Sequence, residues 1–251
     1  MKIIICGYNG KMGQAVKEIA KNCDDCDVVA GVDFLCTGEE ECRVYEDIRK
    51  VQESADVIVD FSNPKALDSI LEYSESKLIP AVICTTGFSE NQVKKIKEAS
   101  KNVPIFYSRN MSVGVSLLLE LAKISTKILG EEFDIEIIEK HHNQKIDAPS
   151  GTAFMIAEAI SGEIPEGVNY VYDRTKNRAP RSKNEIGIHS VRGGTIVGGH
   201  EVIFAGDKEI ITISHRAESR EIFAHGAITA ARFLVNQKPG LYDMKNIVKQ
   251  S

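Results

Sequence analysis

Between residues 141 and 152 the chain reads His141-His142-Asn143-Gln144-Lys145-Ile146-Asp147-Ala148-Pro149-Ser150-Gly151-Thr152. Two imidazoles and an ammonium stand just ahead of a turn with the chemistry of a helix start. Imidazoles move protons near neutral pH. Pro149 fixes φ and Ser150 suits an N-cap, so Gly151 and Thr152 would offer backbone N–H groups ahead of the helical run Ala153–Ile160. With a lysine nearby, such a helix start suits a carboxylate or a phosphate. A strand end, a polar loop and a capped helix with surface histidines would use the same letters, and on these residues alone both readings stand.

The segment needs a strand to deliver it and a helix to follow it. Phe133–Glu139 has the apolar content of that strand. Further on, Ile186–Arg192, Thr195–Ala205 and Ile210–His215 read as strands joined at Gly193-Gly194 and Gly206-Asp207, which predicts hairpins in a mixed or antiparallel sheet. Asp173–Lys183, with Arg174, Lys176, Arg178, Arg181 and Lys183, reads as a mobile, solvated loop. His189, His200, His215 and His225 are spread through strands and helix, and structural or surface roles are expected for each.

The first half has a different rhythm. Ile3-Ile4-Ile5-Cys6 is a buried parallel strand by composition, followed by Gly7-Tyr8-Asn9-Gly10-Lys11-Met12-Gly13 and an amphipathic helix to about Asn22. Strand, glycine turn and helix is the context of a dinucleotide fingerprint, here spaced G-x-x-G-x-x-G. A second strand, Val28–Val32, ends in Asp33, placed to receive ribose hydroxyls. The alternation continues through strand Val57–Phe61, helix Pro64–Ser76, strand Ala81–Thr85, helix Glu90–Ser100 and strand Ile105–Tyr107. It predicts an α/β, doubly wound parallel sheet of Rossmann type. Ligands of such sheets lie beyond the carboxyl ends of the strands, where Asp60-Phe61-Ser62, Thr85-Thr86-Gly87 and Ser108-Arg109-Asn110-Met111 stand. Val113–Leu129 is an apolar run best read as a core helix, and Glu221–Asn236 returns to an amphipathic helix before a turn at Pro239-Gly240.

Composition sets limits. The 251 residues are 43% apolar and 27% charged, with a net charge of −5, which disfavours nucleic acid or an anionic membrane as partner. No secretory leader pattern and no run of membrane-spanning length is read, so a cytoplasmic protein is expected. All six cysteines (Cys6, Cys23, Cys26, Cys36, Cys42, Cys84) fall before residue 85. Cys23-Asp24-Asp25-Cys26 has C-x-x-C spacing, but Cys36 and Cys42 make a poor second pair for a zinc knuckle; free thiols and no metal are expected. Cys6 and Cys84 read as small core residues.

Glu139 through Ala153 resembles the substrate motif E-x-H-H-x-x-K-x-D-x-P-S-G-T-A of the dihydrodipicolinate reductase family, and matches it at each fixed position. The same family shows D-F-[ST], G-T-T-G-F and N-x-S-V-G at strand ends. This chain carries Asp60-Phe61-Ser62, Cys84-Thr85-Thr86-Gly87-Phe88 and Asn110-Met111-Ser112-Val113-Gly114 there, with Cys84 in place of a glycine and Arg109 where a small residue or proline is usual. The resemblance covers nearly the whole chain and is weakest over Asp33–Val51.

The resemblance implies reduction of 4-hydroxy-tetrahydrodipicolinate, via dihydrodipicolinate, to tetrahydrodipicolinate in diaminopimelate and lysine biosynthesis. It implies His141 as proton donor and Lys145 as a second catalytic group. His142, Lys145, Ser150, Gly151 and Thr152 become substrate contacts. The cofactor would be held by Gly7, Tyr8, Asn9, Gly10, Lys11, Met12, Asp33, Phe61, Cys84, Thr85, Thr86, Ser108, Arg109, Asn110 and Met111. It further implies a homotetramer built through the second domain's sheet, a dinucleotide-binding domain of residues 1–112 and 221–251, and a smaller α+β domain of residues 113–220 for substrate binding and oligomerisation. Asp33 followed by Phe34 favours NADH modestly, with NADPH usable through Lys11. Another small Rossmann imine or aspartate dehydrogenase, or an NAD(P)H sensor without turnover, are the alternatives.

Overall fold

The computed structural model describes residues 1–34, 42–175 and 178–250, so Cys36 and Lys176 lie outside the described residues. The chain forms two compact units, Met1–Val113 with Glu221–Ser251, and Gly114–Arg220.

The first unit is built on β1 (Lys2–Cys6), α1 (Lys11–Lys21), β2 (Asp27–Val32), β3 (Arg43–Tyr45), β4 (Val57–Asp60), α2 (Leu67–Lys77), β5 (Ala81–Ile83), α3 (Glu90–Ala99) and β6 (Pro104–Tyr107). Its strands pair in the order β3-β2-β1-β4-β5-β6, all parallel, so the connection reverses direction between β1 and β4. Ile3, Ile4, Ile5 and the apolar residues of β4 and β5 are fully buried because helices cover both faces of the sheet. Burial of that many branched side chains, each contributing about 1.5–3 kcal/mol, fixes the strands more strongly than any turn does.

After the expected turn the tail forms two further short elements. Beyond α6 (Glu221–Leu234), residues Gly240–Tyr242 form β12, which pairs in parallel with β6, and Met244–Gln250 forms α7. A three-residue strand has no periodicity to read, and Phe233 and Tyr242 meeting edge to face at 5.5 Å help hold it. The same shortness hid β3.

The second unit contains α4 (Val113–Leu129, whose first residue belongs to the first unit), β7 (Asp134–His141), α5 (Gly151–Ser161), β8 (Asn169–Val171), β9 (Glu185–Arg192), β10 (Gly198–Ala205) and β11 (Ile210–Ala217). The sheet is mixed, in the order β11-β10-β7-β9-β8. Ile135 and Ile137 of β7, Ile186 and Ile188 of β9, and Val202 and Phe204 of β10 share one face with apolar residues of α4 and α5.

Two expectations fail here for physical reasons. The Gly193-Gly194 turn does not close a hairpin, because β7 lies between β9 and β10, parallel to the first and antiparallel to the second. The turn instead crosses the end of β7, where Gly193 N–H donates to the His141 carbonyl at 2.9 Å and Asn143 N–H donates to the Gly194 carbonyl at 3.2 Å. The basic stretch is not merely solvated either. Arg174 pairs with Glu136 and Glu185, and Arg181 pairs with Asp134 and Glu136 while donating to the carbonyls of Ile135 and Glu185. The Gly206-Asp207 turn does close a hairpin, Ala205 facing Ile210. Among the described residues, no helix is long and apolar enough to cross a membrane.

Candidate active site

In β7, residues 135, 137, 139 and 141 share one face, since side chains alternate along a strand. The first two are core isoleucines; the last two are Glu139 and His141. Glu139 is fully buried and saturated with donors. Arg192 of β9 reaches both its oxygens, at 2.8 and 2.7 Å, His141 Nδ1 lies at 2.6 Å, and Ser150 N–H donates at 3.1 Å. Burial pushes the carboxyl up, but the bonds from Arg192 and His141 outweigh it and hold it at about 2. An ionised Glu139 keeps a proton on His141 Nδ1 and leaves Nε2 for exchange with a ligand. Gly198 leaves space on that side: a Cβ there would stand 3.2 Å from His141 Nε2.

Strand register brings His200 of β10 opposite Glu139, and His215 of β11 opposite His200. The His141 and His200 rings meet edge to face at 5.3 Å. Burial, followed by the neighbouring His141, lowers His200 to about 4, so its ring is neutral near pH 7. Ser150 Oγ accepts from Ala153 N–H at 3.2 Å as the N-cap of α5, which leaves its O–H to donate to His200 Nε2 at 3.1 Å. His200 thus steadies the α5 N-terminus and is a poor proton carrier.

The loop from His142 to Pro149 is tied to this centre. Arg192 donates to the Asp147 carbonyl at 2.6 Å, and Lys145 Nζ lies 2.7 Å from Asp147 Oδ1. His142 is half-buried at the end of β7, and its carbonyl accepts from Lys145 N–H. Gly151 and Thr152 form the first turn of α5, and a Cβ at Gly151 would meet nothing within 4 Å. A buried carboxylate–imidazole pair, an ammonium and a helix N-terminus are therefore gathered in one unit.

The first unit carries a cleft of about 530 Å³ at the β1–β4 reversal, lined by Gly7, Gly10, Asp33 and Phe61 among others. Gly7 adopts φ +77°, and a Cβ there would lie 2.6 Å from the Phe61 carbonyl oxygen. A Cβ at Gly13 would lie 2.1 Å from the Gly7 carbonyl oxygen, so the α1–β1 approach depends on glycine. Helix α1 starts at Lys11 with Gly10 as N-cap and no side chain closing its first amides. Asn9 N–H donates to Asp33 Oδ2 at 2.9 Å and fixes that carboxylate. The cradle fits the diphosphate and ribose of a dinucleotide.

Other residues named from sequence are placed differently. Tyr8, Cys84 and Met111 point into the core, so their side chains do not face this cleft; Met12 packs half-buried against the same core. Thr85 is buried, Thr86 exposed, and Ser108 Oγ donates to the Asn110 carbonyl while Asn110 Oδ1 accepts from Ser112 N–H. Arg109 is exposed. These residues follow β5 and β6, and none of them lines the cleft.

Residues 1–111 match the family described as Dihydrodipicolinate reductase, N-terminus, and residues 114–248 match Dihydrodipicolinate reductase, C-terminus. The chain belongs to the dihydrodipicolinate reductase family. A 4-hydroxy-tetrahydrodipicolinate reductase of Caldanaerobacter subterraneus subsp. tengcongensis is 54% identical over 250 residues, covering 100% of this chain and 99% of the relative. The enzyme of that name from Clostridium tetani is 47% identical, covering 97% and 95%. Among solved structures, dipicolinate-bound dihydrodipicolinate reductase from Paenisporosarcina sp. TG-14 superposes with a TM-score of 0.84 at 26% identity, covering 98% and 99%. As a member of the family, the chain is a nicotinamide-dependent oxidoreductase.

The sequence reading expected a structural or surface role for His200, and its bond to the α5 N-cap is structural. It passed over Arg192 as a strand end, although Arg192 is the cation that holds Glu139. The available signal was pairing: a buried strand carboxylate demands a cation, and an arginine at the end of a nearby strand is the natural donor.

Proposed function

We propose that this chain reduces 4-hydroxy-tetrahydrodipicolinate, after its loss of water, to tetrahydrodipicolinate in diaminopimelate and lysine biosynthesis. The observation that carries the reading is the Glu139–His141 pair beside Lys145 and the α5 N-terminus, in a chain whose relatives bear that enzyme's name. When bound, the nicotinamide supplies a hydride to a conjugated carbon. Proton delivery to the resulting enamine-like centre falls to His141 through Nε2, with Glu139 stabilising the imidazolium before transfer. Lys145 and the Gly151 and Thr152 amides grip carboxylate. Leaving Asp147 for the ligand would bring the ammonium to full use; His142 and Ser150 complete the contacts. The first unit would hold the dinucleotide through the glycine loop and Asp33. The second would bind substrate and, through its sheet, assemble a homotetramer, acting in the cytoplasm.

Dipicolinate, a planar dicarboxylate, tests the grip. It is expected to inhibit competitively against substrate. Gly151→Pro should raise KM and the inhibition constant by about tenfold, the scale of one charged hydrogen bond. Proline is tolerated at the first helical position, and Ser150 already has the extended backbone that must precede it (φ −66°, ψ 154°), so the fold should survive. An unchanged KM in a folded variant would remove the Gly151 amide from the site.

NADH should be preferred modestly over NADPH. The cleft that contains Asp33 is lined by four further carboxylates, Glu46, Asp47, Asp68 and Glu72, against Arg49 and Lys65, and Arg49 is committed to Asp47 at 2.6 Å. A 2′-phosphate meets net negative charge there, offset in part by Lys11. Parallel titrations should show Asp33→Ala shifting the ratio toward NADPH by roughly tenfold. No shift would mean that Asp33 does not face the ribose.

A further inference from the structure

The turn joining α1 to β2 carries chemistry that the reductase reaction does not use. Cys23-Asp24-Asp25-Cys26 closes on itself, with Cys26 N–H donating to the Cys23 carbonyl at 3.2 Å. The closure turns both sulfurs to the same side as the Asp25 carboxylate. The two sulfurs and a carboxylate oxygen lie within 4.8 Å of one another. Asp25 is exposed and the two thiols are half-buried, so the group is open to solvent on one side. Arg232 of α6 braces it, donating from Nε and Nη2 to the two Asp25 oxygens at 2.8 and 2.7 Å, with Nη2 lying 3.8 Å from Cys26 Sγ.

We propose that Cys23, Cys26 and Asp25 form a binding site for one zinc-class divalent cation. Two sulfurs at about 2.3 Å and an oxygen at about 2.0–2.2 Å around a tetrahedral ion stand about 3.5–3.8 Å apart, so closing the present arrangement takes shifts of about 1 Å. A carboxylate has about four lone-pair positions, and Arg232 can keep its bonds while one faces the ion. The charges also balance: two thiolates, a carboxylate and a dication carry one net negative charge, which Arg232 neutralises. Binding releases the two thiol protons to solvent. The fourth position is left for water. An ion pair tying this turn to α6 would need only Asp25 and Arg232; it gives no reason for a thiol at both 23 and 26, turned to the same carboxylate.

The test is titration of the reduced full chain with Co²⁺, followed by displacement with Zn²⁺. The expected result is one Co²⁺ per chain with thiolate-to-cobalt charge-transfer absorption, lost on adding Zn²⁺. Cys23→Ser and Cys26→Ser should each weaken binding by about tenfold or more and diminish that absorption. Asp25→Asn should weaken binding by about tenfold while leaving the thiolate absorption in place. Should a serine variant fail to fold, the folded wild-type chain alkylated at its accessible thiols replaces it, with the same loss expected. Absence of the absorption at excess Co²⁺, or its full persistence after both serine substitutions or after alkylation, overturns the proposal.

Discussion

Replacing His141 by alanine is expected to lower kcat by about 10²-fold or more, with the affinity for NADH unchanged. One geometry sets this role. Glu139 is buried, ionised and bonded to Nδ1, so the ring is held in one orientation with Nε2 directed where Gly198 leaves space. His200 cannot take over, because burial, the larger cause of its lowered pKa, holds its ring neutral near pH 7 even without His141, and its Nε2 is engaged by Ser150. Lys145→Ala should cost about as much, since it removes the ammonium that Asp147 ties into this loop. A split between kcat and KM is informative: Glu139→Gln should lower kcat by more than it alters KM, because it acts on the ring and not on the ligand. Near-wild-type kcat in His141→Ala would assign the proton to another group.

The second large effect is on stability. Glu139→Ala should destabilise the protein by about 3–5 kcal/mol, because it leaves the guanidinium of Arg192 and the Ser150 amide without their buried partner. The pH dependence has a definite sign. Glu139 binds fewer protons folded, at about 2, than unfolded, at about 4.3. Its contribution is therefore present above about pH 4.3 and is lost as the pH falls toward 2. His200, lowered from 6.5 to about 4, acts in the same direction over the interval between those values. Denaturant unfolding followed from pH 7 to pH 3 should show stability declining in two overlapping phases. His200→Gln should shrink the upper one, in which His215, also lowered by burial, takes part, and Glu139→Gln should shrink the lower one. Stability that rose on acidification would contradict both assignments.

The part of the site visible in the sequence is the part that is local. Residues 139 to 153 run from a strand end through a loop to a capped helix, so their types and spacing carry the geometry, and Ser150 caps α5 as its type predicts. Arg192 and His200 come from strands far along the chain and reach Glu139 through register, which local periodicity does not encode. The Gly193-Gly194 turn illustrates the limit. Its composition specifies a turn, but only tertiary packing puts β7 inside it, and that placement sets the turn against His141. Arg174 and Arg181 looked solvated because their partners, Asp134, Glu136 and Glu185, are on other elements. In the first unit the glycine loop and Asp33 were readable because the β-turn-α context is contiguous. The inward turn of the Tyr8 and Met111 side chains was not, since neither a glycine turn nor a strand-end motif tells which side chains enter the core.

The decisive measurement is NADH consumption with 4-hydroxy-tetrahydrodipicolinate generated fresh in the cuvette, alongside aspartate-derived and simple imine substrates. Saturable oxidation of NADH with the cyclic dicarboxylate is expected, inhibited by dipicolinate and lowered by about 10²-fold or more in His141→Ala, with little turnover of the others. Absence of turnover above background with the cyclic dicarboxylate, or equal turnover of the aspartate-derived compounds, would contradict the proposed reaction.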